Sequence, residues 1–399
     1  MIRVRAARVV LAVTFGLGIG APGAAATPSA ADYAADAAAL AGLMRDNYAY
    51  LDELPGGALP ASAELDAERD AVRDADSLLR YAEDMVAGLA DHHALTGKSF
   101  GDDWAIVPSY SDIWIVHAGA AYVVDGVKAG SPADRAGIHP GDRLTGVGDD
   151  RIDTAIAGFW ARVGLDPVGE RGPYAARVLV AGRRDRARVL TFAATGEERR
   201  VTLDSLYAHQ ADRPALTIGS ANGATTIRFN NSIGDLPTIA AFDAAMARVP
   251  PAAPVVIDLT DTPSGGTSAI ARAIMGWFVR APLPYQRHQL PAEERETGIV
   301  RQWVEYVVPR AGKYHPGPVR IEVGRWTGSM GEGLAIGFMA IGKLVCGTAM
   351  AGLKGAVYDF DLPRTGLRVK LPAERIDTVA GEARHRVVPA RCPAMADQR

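Results

Sequence analysis

Val319-Arg320-Ile321-Glu322-Val323 runs straight into Gly324-Arg325-Trp326-Thr327-Gly328-Ser329-Met330-Gly331, and an almost wholly apolar stretch follows from Glu332 to Lys343. A short, β-branched apolar run bounded by glycine reads as a buried strand. The apolar stretch after it reads as a helix, so residues 319–343 predict one strand–turn–helix unit of an α/β sheet. Ser329 stands at that turn between Gly328 and Gly331. A hydroxyl there lies at the carboxyl end of a sheet, beside free backbone N–H groups and the positive end of a helix dipole. Such donors stabilise the oxyanion formed when a carbonyl is attacked, commonly by several kcal/mol each. Serine is also a favoured helix N-cap, so Gly-Ser-x-Gly by itself fits capping as well as catalysis.

The residues before this unit repeat its logic. Ala224 to Phe229 and Val255 to Leu259 read as strands, while Pro237 to Val249 and Thr267 to Arg280 read as helices, an alternation expected of a parallel sheet covered by helices. The loop Thr260 to Gly266 ends in Gly265-Gly266, whose N–H groups offer the other half of an oxyanion site. The proline-rich, charged stretch 281–317 reads as an excursion over the rim of the site. Beyond the serine, Lys354 lies 25 residues on, in Gly352-Leu353-Lys354-Gly355. A buried lysine of lowered pKa can deprotonate a serine without any histidine.

Toward the N-terminus the pattern changes. Ile113-Trp114-Ile115-Val116 and Ala121-Tyr122-Val123-Val124 are strand-like. They are followed by Gly130-Ser131-Pro132-Ala133 and by Ala136-Gly137-Ile138-His139-Pro140-Gly141-Asp142. This stretch resembles a PDZ domain, with Gly137 and Gly141 where that fold turns its backbone tightly. The resemblance implies capture of an extended peptide by strand addition, for which Ala120, Ala121, Tyr122 and Val123 are the candidates, with strands continuing to about Leu203. Before it, Leu40, Leu43, Met44, Tyr48 and Leu51, then Leu78, Leu79, Met85, Val86 and Leu89, recur at helical spacing. The second helix is expected to be capped by Asp76 or Ser77 and leads to Ala90-Asp91-His92-His93.

Taken in order, the helical start, the Asp-x-His turn, the PDZ module, the Asp-Leu-then-Gly-Gly loop, the Ser-x-x-Glu turn and the Gly-x-Lys-Gly segment resemble the C-terminal processing, or tail-specific, serine peptidase family. The resemblance implies an α/β fold: a helical N-terminal region, a PDZ-like β module and a parallel-sheet α/β core of the ClpP/crotonase-like kind. It implies Ser329 as nucleophile, Lys354 as base, and Met330, Gly265 and Gly266 as oxyanion donors. Two departures lean toward the family's tricorn-like branch, which uses a histidine placed like His93: Leu353 and Tyr358 stand where the lysine segment usually has glycine and glutamine, and the loop Asp258 to Gly266 is one residue longer and lacks the arginine. That branch's glutamate falls where this chain reads Arg384-His385-Arg386. The base is therefore Lys354 or His93, with the spacing of Lys354 slightly preferred. His92 reads as a solvated turn residue, and Trp303 and Trp326 as packing residues. The function implied is hydrolysis of peptide bonds through an acyl-enzyme on Ser329. The alternative is an inactive peptide-binding protein of the same fold.

The 399 residues carry 43 Lys and Arg against 46 Asp and Glu, a net charge of −3 without a basic run. That excludes nucleic acid as the main partner, because such proteins concentrate positive charge on one face. No metal-ligand spacing or nucleotide-binding glycine pattern occurs, so neither metal nor cofactor is expected. Arg3, Arg5 and Arg8, the apolar run Val9 to Ile19 and Ala24-Ala25-Ala26 read as an export signal over 1–26. The expectation is a periplasmic or secreted product, without a membrane span in the mature chain and with the capacity to self-associate. Helical, PDZ-like, peptidase and tail segments are expected over 27–104, 105–205, 206–390 and 391–399. Cys346 and Cys392 form either a disulfide or two free thiols.

Overall fold

The computed structural model describes residues 27–393 apart from 195, 210, 211 and 222. The export signal expected over 1–26 lies outside the described residues, as do the last six residues of the tail. Three helices open the chain, α1 (Ala30–Asn47), α2 (Ala63–Asp70) and α3 (Ala75–Ala87). Each starts at a side-chain cap: Ser29, Ser62 and Asp74 accept the N–H of Asp32, Leu65 and Ser77, pairing donors that a helix start leaves open. The cap of α3 is thus Asp74 rather than Asp76 or Ser77. The short strand β1 (Leu95–Thr96) follows.

A second layer contains β2 (Ile113–Ala118), β3 (Ala121–Val127), β4 (Arg143–Val147), β5 (Asp150–Arg151), β6 (Arg188–Ala194) and β7 (Glu197–Leu203), in sheet order β2-β3-β4-β6-β7 with β5 beside β4. Three helices accompany them, α4 (Pro132–Arg135), α5 (Ile152–Ala161) and α6 (Arg171–Ala181). Ser131 caps α4, whose first residue is Pro132. The expected run of strands to Leu203 is interrupted by α5 and α6. Ile152, Ile156, Phe159 and Trp160 are buried on one face of α5, a helical period that outweighs their β-branched and aromatic character. This layer and α1–α3 share one apolar core, in which Leu40, Met44, Leu78, Ile115, Trp160 and Phe192 are all inaccessible or nearly so.

The expected peptide-binding strand needs correction. Tyr122 and Val123 of β3 pair with His117 and Val116 of β2 on one side and with Leu144 and Arg143 of β4 on the other. A strand bonded on both edges cannot accept another. The edge strands of this path are β2 and β7, and β2 is the one against which α6 packs.

The third layer begins with β8 (Leu216–Ala221), β9 (Ala224–Phe229), α7 (Pro237–Met246), β10 (Val255–Asp258) and α8 (Ser268–Met275). It continues through β11 (Leu283–Gln289), α9 (Pro291–Thr297), β12 (Gln302–Val307), β13 (Val319–Val323), α10 (Met330–Ala340), β14 (Leu344–Gly347), β15 (Ala356–Asp361) and β16 (Arg368–Asp377). One sheet has the order β14-β13-β10-β9-β8, with parallel pairing from β9 to β14 and β8 antiparallel at the edge. The stretch 281–317 is more than a rim excursion, because β11 and β12 join β16, β15 and β1 in a second, antiparallel sheet. Helix α10 lies in the core with every residue from Met330 to Phe338 buried, as a helix apolar on all sides must be. Cys346 and Cys392 are disulfide-bonded, and Gly347 N–H donates to Ala390 O at 2.9 Å, so the tail runs beside β14.

Candidate active site

The β13–α10 turn is tied to the loop after β10 by main-chain and hydroxyl bonds. Thr262 N–H donates to Trp326 O at 2.8 Å, and Gly328 N–H to Thr262 O at 3.2 Å. Thr327 Oγ1 donates to Leu259 O at 2.7 Å, and Trp326 Nε1 reaches Ser111 O at 2.7 Å. Trp326 is thus a packing residue that joins this turn to the start of the PDZ-like layer. The lacing drives Ser329 to φ +52°, ψ −119°, a left-handed conformation that costs a non-glycine residue on the order of 1–3 kcal/mol. Ser329 N–H is satisfied by Glu332 Oε2 at 2.9 Å.

His93 approaches from the other side of the chain. Its position is fixed between α3 and β1: Asp91 accepts the N–H of His93 at 2.9 Å and the hydroxyl of Tyr48 at 2.9 Å, and Leu95 pairs with Lys370 on β16. His93 Nδ1 lies 2.5 Å from Lys354 O and Nε2 lies 3.0 Å from Ser329 Oγ. A carbonyl only accepts, so Nδ1 carries the proton and Nε2 is the free lone pair facing the hydroxyl. The ring is partly open to the cleft but enclosed by protein at longer range. That burial, followed by the Arg384 charge, brings its pKa from 6.5 down to about 4, so the imidazole is neutral at pH 7.

Lys354 does not bring its ammonium to this pair. Its Nζ is bound to Glu53 at 2.9 Å and lies 5.4 Å from the centre of the Tyr50 ring. The structure brings together Ser329 and His93, with Lys354 contributing its main-chain carbonyl. His92 is packed rather than solvated: its ring stacks on Tyr174 at 4.4 Å and Nε2 accepts from Arg177 Nε at 2.9 Å. Asp258 accepts from the N–H and hydroxyl of Thr260 at 2.9 and 2.6 Å and so orders the strand end.

The expected oxyanion donors separate. Gly265 N–H is spent on Thr262 O at 3.2 Å. Its own place is steric, since a Cβ on Gly265 would lie 2.4 Å from Ser329 Cβ, at a backbone φ of +66°. Met330 is the first residue of α10, so its N–H has no acceptor within the helix. Gly266 lines the same cleft as Ser329. Of the three expected donors, Met330 and Gly266 thus line the cleft beside Ser329, whereas the Gly265 N–H is turned to Thr262.

That cleft has a volume of about 690 Å³. It is also lined by Trp303, read from the sequence as a packing residue, and by residues that sequence reasoning missed: Gln286, His288, Glu305 and Glu374, from β11, β12 and β16. His288 Nδ1 meets Glu374, whose other oxygen accepts from Tyr358 OH at 2.5 Å, and the His288 ring stacks on Trp303 at 5.0 Å. Their isolated positions carry no spacing signal, because three strands distant in sequence bring them together. Among the described residues, no group of three or more His, Cys, Asp and Glu is arranged to hold a metal ion.

Comparison with known proteins agrees with this architecture. A family model described as a PDZ domain matches residues 123–157. No protein of curated function matches the sequence. Among solved structures, a photosystem II D1 C-terminal processing protease is similar at 15% identity and TM-score 0.54, over 90% of this chain and 92% of that one. Mature CPAF is similar at 13% identity and TM-score 0.55, over 91% and 92%. The likeness spans nearly the whole described chain and is one of fold. Helical start, PDZ module and α/β core follow the C-terminal processing peptidase architecture.

Proposed function

We propose that the protein is a serine-type peptidase in which Ser329 is the nucleophile and His93, not Lys354, is the general base. The observation that carries this is the 3.0 Å approach of His93 Nε2 to Ser329 Oγ, with Nδ1 fixed by the Lys354 carbonyl. As Oγ attacks the scissile carbonyl carbon, its proton passes to Nε2, and the N–H groups of Met330 and Gly266 receive the developing oxyanion. The imidazolium then returns the proton to the leaving amine, giving the acyl-enzyme. Water, deprotonated at the same Nε2, releases the second product. The strained backbone of Ser329 supports this reading over capping, because a cap residue sits in unstrained extended backbone.

Peptide segments of protein chains are the proposed substrates. Their capture is assigned to the free edge of β2 beside α6, in place of Ala120 to Val123. The disulfide between Cys346 and Cys392 supports an oxidising compartment, in line with export directed by residues 1–26. The test is labelling by a fluorophosphonate probe together with degradation of an unfolded protein. Both are expected for the native chain and lost in Ser329→Ala. Degradation that survives in the alanine variant refutes the assignment, and absence of both activities in the native chain supports the inactive peptide-binding alternative.

A further inference from the structure

Arg384 lies in the one-turn 3-10 helix Arg384–Arg386, with a side chain only 1% exposed. Its Nη2 donates to Leu353 O at 2.9 Å and to Gly355 O at 2.7 Å. These carbonyls flank Lys354, whose own carbonyl meets His93 Nδ1. From the other side, Glu332 accepts the N–H groups of Gly352 and Leu353 at 2.8 and 3.2 Å while also holding Ser329 N–H. The segment 352–355 is therefore clamped between a buried carboxyl group on α10 and a buried guanidinium. We propose that Arg384 is a positioning residue for the reaction, fixing the main-chain carbonyl that here does the work of the third, base-orienting group. The inference rests on the Ser329–His93 reading and adds to it the residue on which the geometry of the base depends.

Two further observations favour this over simple packing. Arg384 Nε is buried without a hydrogen-bond partner among the described residues, so the side chain is not optimised for stability, since an orphaned buried donor costs free energy. Arg384 also lines the Ser329 cleft, within reach of the reacting groups rather than remote from them. A carbonyl orients an imidazole but supplies no counter-charge, and a nearby cation opposes the imidazolium that forms during attack. The groups around His93 are Asp91 on its own turn, Glu332 on α10, the Lys354–Glu53 ion pair, Arg177 through His92, and Arg384. Of these charges, Arg384 is the main one holding the base in its neutral form, after burial itself. A depressed histidine pKa leaves the base competent above that value, with activity lost only as pH falls through it. The acid limb should therefore lie near pH 4 rather than near 6.5.

The experiment follows the rate of fluorophosphonate labelling against pH for the native chain, Arg384→Met and Arg384→Lys. In Arg384→Met, labelling at pH 7.5 should fall by roughly tenfold or more, since small misplacements of a catalytic group are costly. Its acid midpoint should move up by about one pH unit or more, toward the ordinary histidine value. Arg384→Lys keeps the charge but is too short to bridge the two carbonyls as Nη2 does, so its midpoint should stay low while its rate falls. A native rate and midpoint in Arg384→Met overturn the proposal, and so does a slower rate with an unmoved midpoint, which a purely structural role would give. If Arg384→Met does not fold, a midpoint in Arg384→Lys that has risen toward 6.5 overturns it instead. Imidazole titration by nuclear magnetic resonance in the native chain reads the same quantity without activity, and a His93 midpoint of about 6 or higher also overturns it. Complete absence of Ser329 labelling in the native chain would count against the peptidase reading instead, and the imidazole titrations of native and Lys variants would still decide the role of Arg384.

Discussion

Replacing Lys354 by alanine removes an ammonium group yet leaves the carbonyl that receives His93 Nδ1–H, so it separates side-chain from main-chain chemistry at one residue. The ammonium is 2.9 Å from Glu53, and the two side chains are 16% and 19% exposed. Glu53 keeps Arg386 at 3.0 Å and His385 at 3.4 Å after the change, so no uncompensated charge is left. The stability cost should be roughly 1–3 kcal/mol, between the values for an exposed pair and for a buried pair that loses one partner. Activity on an unfolded protein substrate should stay within about threefold of native, because no step passes through Nζ. His93→Ala removes the base itself and should lower kcat/KM by roughly 10²–10⁴, or about 3–5 kcal/mol of barrier. The assay compares kcat/KM for both variants at pH 7.5, with urea unfolding to confirm that each is folded. A folded Lys354→Ala variant that loses more than about a hundredfold, beside a His93→Ala variant that retains activity, refutes the reasoning and restores the lysine as base.

Burial is the main reason that the Glu332 carboxyl is pushed up from 4.5 to about 7, although Arg384 and three backbone N–H groups work against it. A pKa raised on folding means that the native state holds the proton. Its contribution is therefore present below pH 4.5 and lost as pH rises through 7. Glu332→Gln should abolish roughly 3 kcal/mol of pH-dependent stability over that interval, measured as unfolding free energies of both proteins at pH 4.5 and 8; parallel curves would contradict it. Gly265→Ala places a methyl group against Ser329 and demands a left-handed alanine, so fluorophosphonate labelling should fall by about a hundredfold or more. A native labelling rate would show that the two turns are not in contact. Reducing the Cys346–Cys392 bond opens a loop of sequence separation 46 and should cost about 2–4 kcal/mol. The melting temperature should drop correspondingly in dithiothreitol, and an unchanged value would mean that the tail contributes little once the rest is folded.

How much of this was legible in the sequence depends on the range of the interactions. The β13–α10 unit and Ser329 at its turn could be read directly, because a β-branched run, two glycines and an apolar helix impose their conformation locally. The PDZ turns were readable for the same reason, with Pro132 opening a helix and Gly137 and Gly141 permitting tight reversals. The helices α5 and α6 were missed where β-branched and aromatic residues masked a helical period. A free edge of the PDZ-like sheet was misplaced because edge or centre is a property of strand order, which strand composition does not record. The choice of base shows the division most clearly. Residues 93, 329 and 354 could all be named in advance, but Glu53, some 300 residues from Lys354, draws the ammonium away, and Arg384 and Glu332 turn the neighbouring backbone toward His93. Local sequence sets backbone conformation and the period of burial, whereas the direction of a long charged side chain follows from which opposite charges the fold brings within about 3 Å of it.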